Sequence, residues 1–583
     1  MIKEILNSLK ATRDDLFNVK MQDTNPAVQD GFIPAILFVA TLLLYVAFQL
    51  AMEPDWVLGG EMWAEMGTNY FPNASSPSYL HRLIATDSGY IPAPLRLIAL
   101  AGSIFGLSAA FIPYYYTWSG MIISGMMVGA FCLPRFRALV QSDALRFFTA
   151  MGILIVADFG LRLFNNFTYF AAFFIAVTTA LALVDDAVEA PWWAWFIPIL
   201  TVSKPAVLAV LPAMILAAAV SKTRFRRITL MTVVLCLGQL VQMVISRHNG
   251  TMTDDHHFTL LSKFIASNQY FFGLLGEYIA GPNFHLNKHH AIIAGLVFTP
   301  AIVWVISEIK NKANALIIVG LSLLFFNVLL NTFALSGSWN RDMAQLSEPP
   351  NSHIIVGFFG CVMVVAGALA SITDFVFSKL RFSAVNAFAA LAFAAWFVGT
   401  GWLATGVRMS RYPGFPVINN SQWQIMAHAI DYGVSPLCVP INPVGWMYTR
   451  DCALLNPANL IGSPDFHFER VPPASEAYTL SVTPPDSLSG NTLVSLAVLA
   501  KTLSEEPSRV AVKALIQMND GSSKFYSGSR SLADTGGLIQ LTGTENIPIR
   551  NISLIKFIFD SPVEIALDPN EQKDVPAIYW LGQ

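Results

Sequence analysis

FIPAILFVATLLLYVAFQLAM, residues 32–52, runs without a break into EPDWVLGGEMWAEMGTNYF, residues 53–71. The first string carries no charge and has the length of one bilayer crossing, since about 20 residues at helical rise span the hydrocarbon. The second sets Glu53, Asp55, Glu61 and Glu65 among Trp56 and Trp63. Tryptophan favours the membrane–water boundary, where its ring sits half wet. A span that empties into acids and tryptophans reads as a membrane helix meeting a chemically equipped rim, which a plain connecting loop does not need.

The rest of the 583 residues agrees with a membrane protein. The chain is 54% hydrophobic and 13% charged, with mean hydropathy +0.53, against about 25% charged residues in average soluble domains. The first apolar block starts only at Phe32, behind a polar leader of residues 1–31, and is too long and too late for a cleaved signal peptide. Apolar blocks at 32–52, 91–111, 114–133, 144–164, 166–184, 192–220, 228–246, 290–308, 314–335, 353–378 and 383–405 predict about eleven spans by the ~20-residue rule. The block 192–220 is broken by Ser203-Lys204-Pro205, and 259–283 reads as interfacial or re-entrant. The net charge of −3 and the lack of a basic stripe give no nucleic-acid footprint.

Short-loop lysines and arginines set orientation. The leader, 221–227, 309–313 and 378–382 are basic and fall together on the cytoplasmic side for an odd number of spans. The opposite side receives 53–90, 185–191, 247–289, 336–352 and everything after 405. One loop dissents: PRFRALVQSDALR, 134–146, is basic and lands outside.

After Thr405 the period changes. AYTLSVTP, LVSLAVLA, RVAVKALIQM, LIQLTG, ISLIKFIFD and VEIAL alternate with period two. They are parted by Pro484-Pro485, Asn519-Asp520-Gly521 and Gly536-Gly537, which predicts an antiparallel β-sandwich over 465–583, joined to the membrane region 32–405 by a mixed neck, 406–464. Cys132, Cys236 and Cys361 lie in apolar blocks and read as buried thiols. Cys438 and Cys452 lie in the neck, on the side where disulfides persist, and their bond would close a short loop worth about 3 kcal/mol in the chain-entropy model.

The chemistry concentrates in 53–90. A helix through EMWAEMGTNYF would put Glu61 and Glu65 on one face and Met62, Met66 and Tyr70 on a neighbouring one. PSYLHRLIATDSGYIP reads as a second amphipathic helix carrying Arg82 and ending at Asp87-Ser88-Gly89-Tyr90. Group transfer to a weakly nucleophilic hydroxyl needs a base within hydrogen-bond reach, and a partly desolvated carboxylate serves. A membrane rim supplies desolvation and lateral access for a lipid-linked substrate.

At these residues the sequence resembles the GT-C superfamily of integral-membrane glycosyltransferases, which use polyprenyl-phosphate sugars. WAEMGTNYF, ATDSGYIPAPLRLIAL, SKPAVLAVLPAMIL and CVPINPVGWMYTRDC look more narrowly like phage and bacterial serotype-converting O-antigen glucosyltransferases. The resemblance implies a GT-C-like polytopic α-helical protein of the inner membrane with a periplasmic C-terminal domain. It implies glucosyl transfer from polyprenyl-phosphate-glucose to a lipid-linked glycan, with inversion. The expected base is a first-loop acid, Glu65 or Asp87 with Glu61 third. Glu53 and Asp55 depart from the simplest family picture. Trp63, Tyr90 and Trp339 are the implied acceptor contacts. A flippase and a cytoplasmic-face donor synthase are implied partners, and no organic cofactor is expected.

Cations at membrane depth mark function or a partner. Lys204 is expected to meet the donor phosphate or to snorkel from the Pro205 break. Arg162 is expected to pair with Asp158 four residues back or to serve as a second phosphate contact, with Arg82 a third. RHNGTMTDDHH, 247–257, has His and Asp side by side but no ligand spacing, so metal is disfavoured, though not excluded. Trp339 and Arg341 in WNRDM could meet sugar and phosphate, or form an interface pair with Asp342. A transporter of lipid-linked sugars is the competing class. It should show broken helices in two halves, and the break near Lys204 has no evident counterpart in the sequence. A polymerase would favour an arginine-rich outer loop.

Overall fold

The computed structural model describes residues 2–17, 32–157, 159–184, 190–221, 223–248, 259–334, 354–376, 382–410, 423–433, 437–443, 446–451, 453–454, 467–474, 477–503, 508–532, 537–567, 576 and 578–582. The chain forms two compact units: Met1–Glu53 with Ser78–Ile98 and Thr117–Tyr412, and Pro54–Pro77 with Ala99–Tyr116 and Pro413–Gln583.

The first unit is helical. Among the described residues six helices are long and apolar enough to cross a membrane: Phe32–Met52, Phe167–Val184, Arg224–Ser246, Lys288–Glu308, Asn314–Phe333 and Ile355–Val376. A seventh is the pair Asn386–Gly399 and Trp402–Arg408, bent by 55°. The other expected spans are shorter, interrupted or less apolar. The block at 91–111 gives a helix only over Ala93–Ile104, the block at 144–164 ends its helix at Val156, and the one at 114–133 is helical over Ile112–Gly129. The block 192–220 breaks as its Ser-Lys-Pro predicts, with helices Ile197–Thr201 and Leu211–Val220 on either side. Apolar length sets an upper bound on crossings, and proline, glycine and polar residues cut blocks into half-lengths. The 55° bend supplies a second broken helix, which the sequence had not suggested.

Packing is closest where side chains are absent. Gly320 and Gly360 sit so that a Cβ on either would press against the other's carbonyl oxygen. Small residues let backbones approach where apolar burial gives helices no preference for one another over lipid. The leader holds a helix, Ile2–Leu16. Its Arg13 Nη1 donates to the Val220 carbonyl at 3.5 Å and its Asp15 pairs with Lys310 at 2.5 Å. Asn311 donates to Asp374 at 2.8 Å. The leader thus contacts both the end of the helix before 221–227 and the 309–313 loop, and that loop contacts the end of the helix before 378–382.

The dissenting loop neutralises much of its own charge. Arg146 is fully buried and donates to the carbonyls of Phe131, Cys132 and Leu133, at 3.2, 2.9 and 2.8 Å, and to Asp143. Arg137 Nε also donates to Asp143, at 2.9 Å. An arginine spent on the open carbonyls of a helix end counts for little in the charge bias that orients loops.

The second unit is built on strands β1 (Leu437–Ile441), β2 (Trp446–Arg450), β3 (Ala453–Leu454), β4 (Phe468–Arg470), β5 (Pro473–Ala474), β6 (Ala477–Val482), β7 (Thr492–Thr502), β8 (Ser508–Met518), β9 (Ser523–Leu532), β10 (Gly537–Pro548), β11 (Ile552–Phe559), β12 (Val563–Ala566) and β13 (Ile578–Gly582). β1 and β2 form a hairpin. The rest form one 11-stranded sheet in the order β3-β13-β7-β10-β9-β8-β11-β6-β5, with β12 joining β4 to β7. The expectation of a sandwich is corrected here: hydrogen bonding runs unbroken through one curled antiparallel sheet. Leu496, Val498 and Ala500 of β7 face the large core with Val510, Val512, Ile555 and Phe557. Ala497 and Leu499 on its other face pack with Cys438 and Met447 of the hairpin. Cys438 is disulfide-bonded. Its expected partner, Cys452, lies outside the described residues. Cys132, Cys236 and Cys361 are buried and free.

Candidate functional site

In the first unit the string DSGY makes a tight turn. Asp87 N donates to Tyr90 O at 2.8 Å and Tyr90 N to Asp87 O at 3.1 Å. Ser88 and Gly89 both take positive φ, +48° and +88°, as a two-residue turn of this hand requires. The turn sets Asp87 and Tyr90 side by side. The Tyr90 phenol donates to Asp87 Oδ2 at 3.2 Å and the Ser88 hydroxyl to Oδ1 at 3.3 Å. Lys204 Nζ stands 5.2 Å from the centre of the Tyr90 ring. Asp87 and Tyr90 are 4% and 5% exposed. A buried carboxylate and an ammonium therefore share one tyrosine, at the place where an apolar helix is broken.

Two polar residues that the sequence reading missed hold this arrangement. Arg96, 1% exposed, donates to the carbonyls of Ala85 at 2.9 Å and Thr86 at 3.4 Å. Gln239, in the span Arg224–Ser246, accepts from Ile91 N at 3.0 Å and donates to Ile91 O at 3.3 Å and Ser203 O at 3.2 Å. Ala93 N adds a bond to Val202 O at 2.9 Å. The segment leaving Tyr90 is thus sewn to the break that presents Lys204. A polar residue inside an apolar run was the available signal for both.

Arg162 is engaged elsewhere in the same unit. Nη1 pairs with Glu53 at 2.7 Å, both side chains almost fully buried, and Nη2 donates to Ile155 O at 3.2 Å. The partner expected from spacing, Asp158, lies outside the described residues, as do Trp339, Arg341, Asp342 and 249–257. Arg82 lies 4.6 Å from the Tyr79 ring centre, on the short helix Tyr79–Ile84 whose Tyr79, Leu80, Leu83 and Ile84 are exposed. Of the amphipathic helix read from PSYLHRLIATDSGYIP, the helical part is Tyr79–Ile84.

Glu61, Trp63 and Glu65 belong to the second unit. The single helical face expected for Glu61 and Glu65 does not form. The helix Pro54–Gly59 stops at Gly59-Gly60, residues 62–64 pair with Asn442, and Glu65 begins a π-turn over Met66–Tyr70. Met62, Met66 and Tyr70 are nonetheless fully buried. Asn442 Nδ2 donates to Glu61 Oε2 at 2.8 Å. Among the described residues no three His, Cys, Asp or Glu side chains are grouped to hold a metal ion.

The chain is, on this evidence, a multi-span helical membrane protein with a C-terminal curled antiparallel sheet domain. Comparison with protein-family models, curated proteins and solved structures returns no match.

Proposed function

We propose that the protein is a membrane-embedded glycosyltransferase of GT-C type. It moves a glucosyl group from polyprenyl-phosphate-glucose to a lipid-linked surface glycan on the periplasmic face of the inner membrane. The observation that carries this reading is the Asp87–Tyr90–Lys204 cluster at the broken helix. Asp87 takes the proton of the acceptor hydroxyl as that oxygen bonds to the sugar C1. The C1–O bond to phosphate breaks, polyprenyl phosphate leaves with the electron pair, and configuration inverts. Lys204 offsets the charge that develops on the leaving phosphate, and Tyr90 holds acid and cation apart.

The test is transfer from polyprenyl-phosphate-glucose in membranes carrying Asp87→Asn or Lys204→Met. Loss of a general base or a phosphate-side cation should lower the rate by about 10²–10⁴-fold. Both variants transferring at the wild-type rate would refute the assignment. One observation favours a second reading, a transporter of lipid-linked sugars: the bent pair at Gly399–Trp402 joins the break at 202–204, and paired broken helices mark such proteins. Purified protein that moves lipid-linked sugar across vesicles without making a glycosidic bond would decide for the transporter.

A further inference from the structure

Val510, Val512 and Ala514 of β8 and Tyr526 of β9 point into the large core of the second unit. Alternate positions of a strand point the other way, which sets Arg509, Ala511 and Lys513 beside Phe525, Ser527 and Ser529 on the opposite face. The register pairs Lys513 with Ser527 and Ala511 with Ser529. Small side chains at Ala477, Ala511, Ser527 and Ser529 leave a groove of about 610 Å³ there, also lined by Lys513 and Asp560. Ligand pockets run from about 300 to 1,000 Å³. Lys513 Nζ stands 4.2 Å from the centre of the Phe525 ring, which is half exposed. No described carboxylate lies within ion-pair reach of Lys513. Asp560, by contrast, is engaged: its Oδ1 accepts from Ala511 N at 2.9 Å and from the Ser561 hydroxyl at 3.0 Å. Arg509 Nη2 donates to Ser529 Oγ at 2.9 Å, which leaves that hydroxyl its own proton to give.

We propose that this groove is a saccharide site for a sugar residue that bears an anionic group, a carboxylate or a phosphate. The ammonium of Lys513 only donates hydrogen bonds, and a charged acceptor makes the strongest partner for it. The Phe525 ring holds the ammonium from one side and supplies no counter-charge. With Arg509 at the edge and Asp560 spent on its own strand neighbours, the groove favours an anion over a neutral ligand. The methyl groups of Ala477 and Ala511 suit the C–H face of a pyranose, and the Ser527 and Ser529 hydroxyls suit its ring hydroxyls. The choice of a sugar over another small anion rests on the glycan chemistry of the transferase reading. The groove itself does not, since it shares no residue with the Asp87–Tyr90–Lys204 cluster.

The test is calorimetric titration of the full chain, in nanodiscs of phosphatidylcholine, with tetragalacturonate, glucose 6-phosphate, maltotetraose and inorganic phosphate. One or both acidic sugars should bind, the one that does naming the anion, and neutral maltotetraose should not. Lys513→Met should weaken binding by about tenfold or more, and Lys513→Arg should recover most of it. Ser527→Leu fills the groove without removing a charge and should abolish binding. Binding of neither acidic sugar would overturn the proposal, as would maltotetraose binding as tightly as tetragalacturonate, or inorganic phosphate as tightly as glucose 6-phosphate. Acidic-sugar binding indifferent to both Lys513→Met and Ser527→Leu would overturn it too. Retained binding in a chain that transfers no sugar would count against the transferase reading alone, and transfer by a chain that binds no acidic sugar against the groove alone.

Discussion

Glu53 and Arg162 form an ion pair that neither residue's neighbours in sequence announce. Glu53 is the first residue past the apolar run of 32–52, and Arg162 lies in a short helix, Phe159–Arg162. Taking two charges out of water is costly, and their attraction offsets that cost only while both remain. Gln49 adds a bond at 3.4 Å and the Phe48 ring lies 4.9 Å from the guanidinium, so the end of the span Phe32–Met52 is tied to the helix end at 155–157. Removing one partner strands the other. Glu53→Ala or Arg162→Met should each destabilise by about 3–5 kcal/mol, measured as thermal unfolding in detergent. The double variant Glu53→Ala with Arg162→Met should recover much of the loss. Additive losses would show that the two residues are not coupled. The pair also separates roles among the rim acids: Glu53 is held in an ion pair with Arg162, while Asp87 is hydrogen-bonded by Ser88 and by Tyr90, whose ring Lys204 approaches.

At the scale of elements, Gln239 joins three pieces of chain that local propensity alone would not bring together. Its side-chain amide meets both backbone groups of Ile91 and the carbonyl of Ser203. Those groups belong to a loop and to a helix break, where ladder partners are missing. Gln239→Ala would leave them in a buried setting, each unsatisfied group costing about 1–3 kcal/mol. The expected outcome is a lowered unfolding temperature together with faster hydrogen exchange at 85–93 and 202–205. Exchange unchanged in both segments would show that Gln239 does not latch them. Period and block length made the long spans and the strands β6, β7, β8, β10, β11 and β12 legible. β9, SKFYSGSRSL, was not, because serine and glycine hide its alternation. The Asp87–Tyr90 turn was visible as Ser-Gly, and Lys204 as a charge in an apolar run. The pairing of 62–64 with Asn442 left no local trace, since its partner lies far along the chain, and it overrode the helical spacing of Glu61 and Glu65.

At the scale of the whole molecule, the segment between the helices Phe32–Met52 and Ala93–Ile104 is divided between two folding units. Residues 54–77 and 99–116 are counted with 413–583, and the reason lies in specific bonds. Trp423, fully buried, donates from its indole to Ala109 O at 2.7 Å, and Asp431 accepts from Ala109 N at 2.8 Å. Gln424 donates to Gly60 O at 2.8 Å, and Phe71, Trp423 and Tyr448 form an edge-to-face cluster with ring centres 5.1–5.8 Å apart. A short loop of this composition buries too little apolar surface to offset the entropy of ordering its backbone, about 1–2 kcal/mol per residue. Its order is therefore borrowed from the C-terminal region. A chain ended after Tyr412 should still insert its spans, because each is apolar enough on its own. Its 54–77 segment, however, should become open to protease added to the outer face of spheroplasts, while the full chain stays resistant there. Trp423→Ala should show the same cleavage in part. A truncated chain as resistant as the full one would mean that the loop folds by itself. The bonds from Gln424 and Asn442 to residues 60–64 would then follow from the loop's own fold and not hold it.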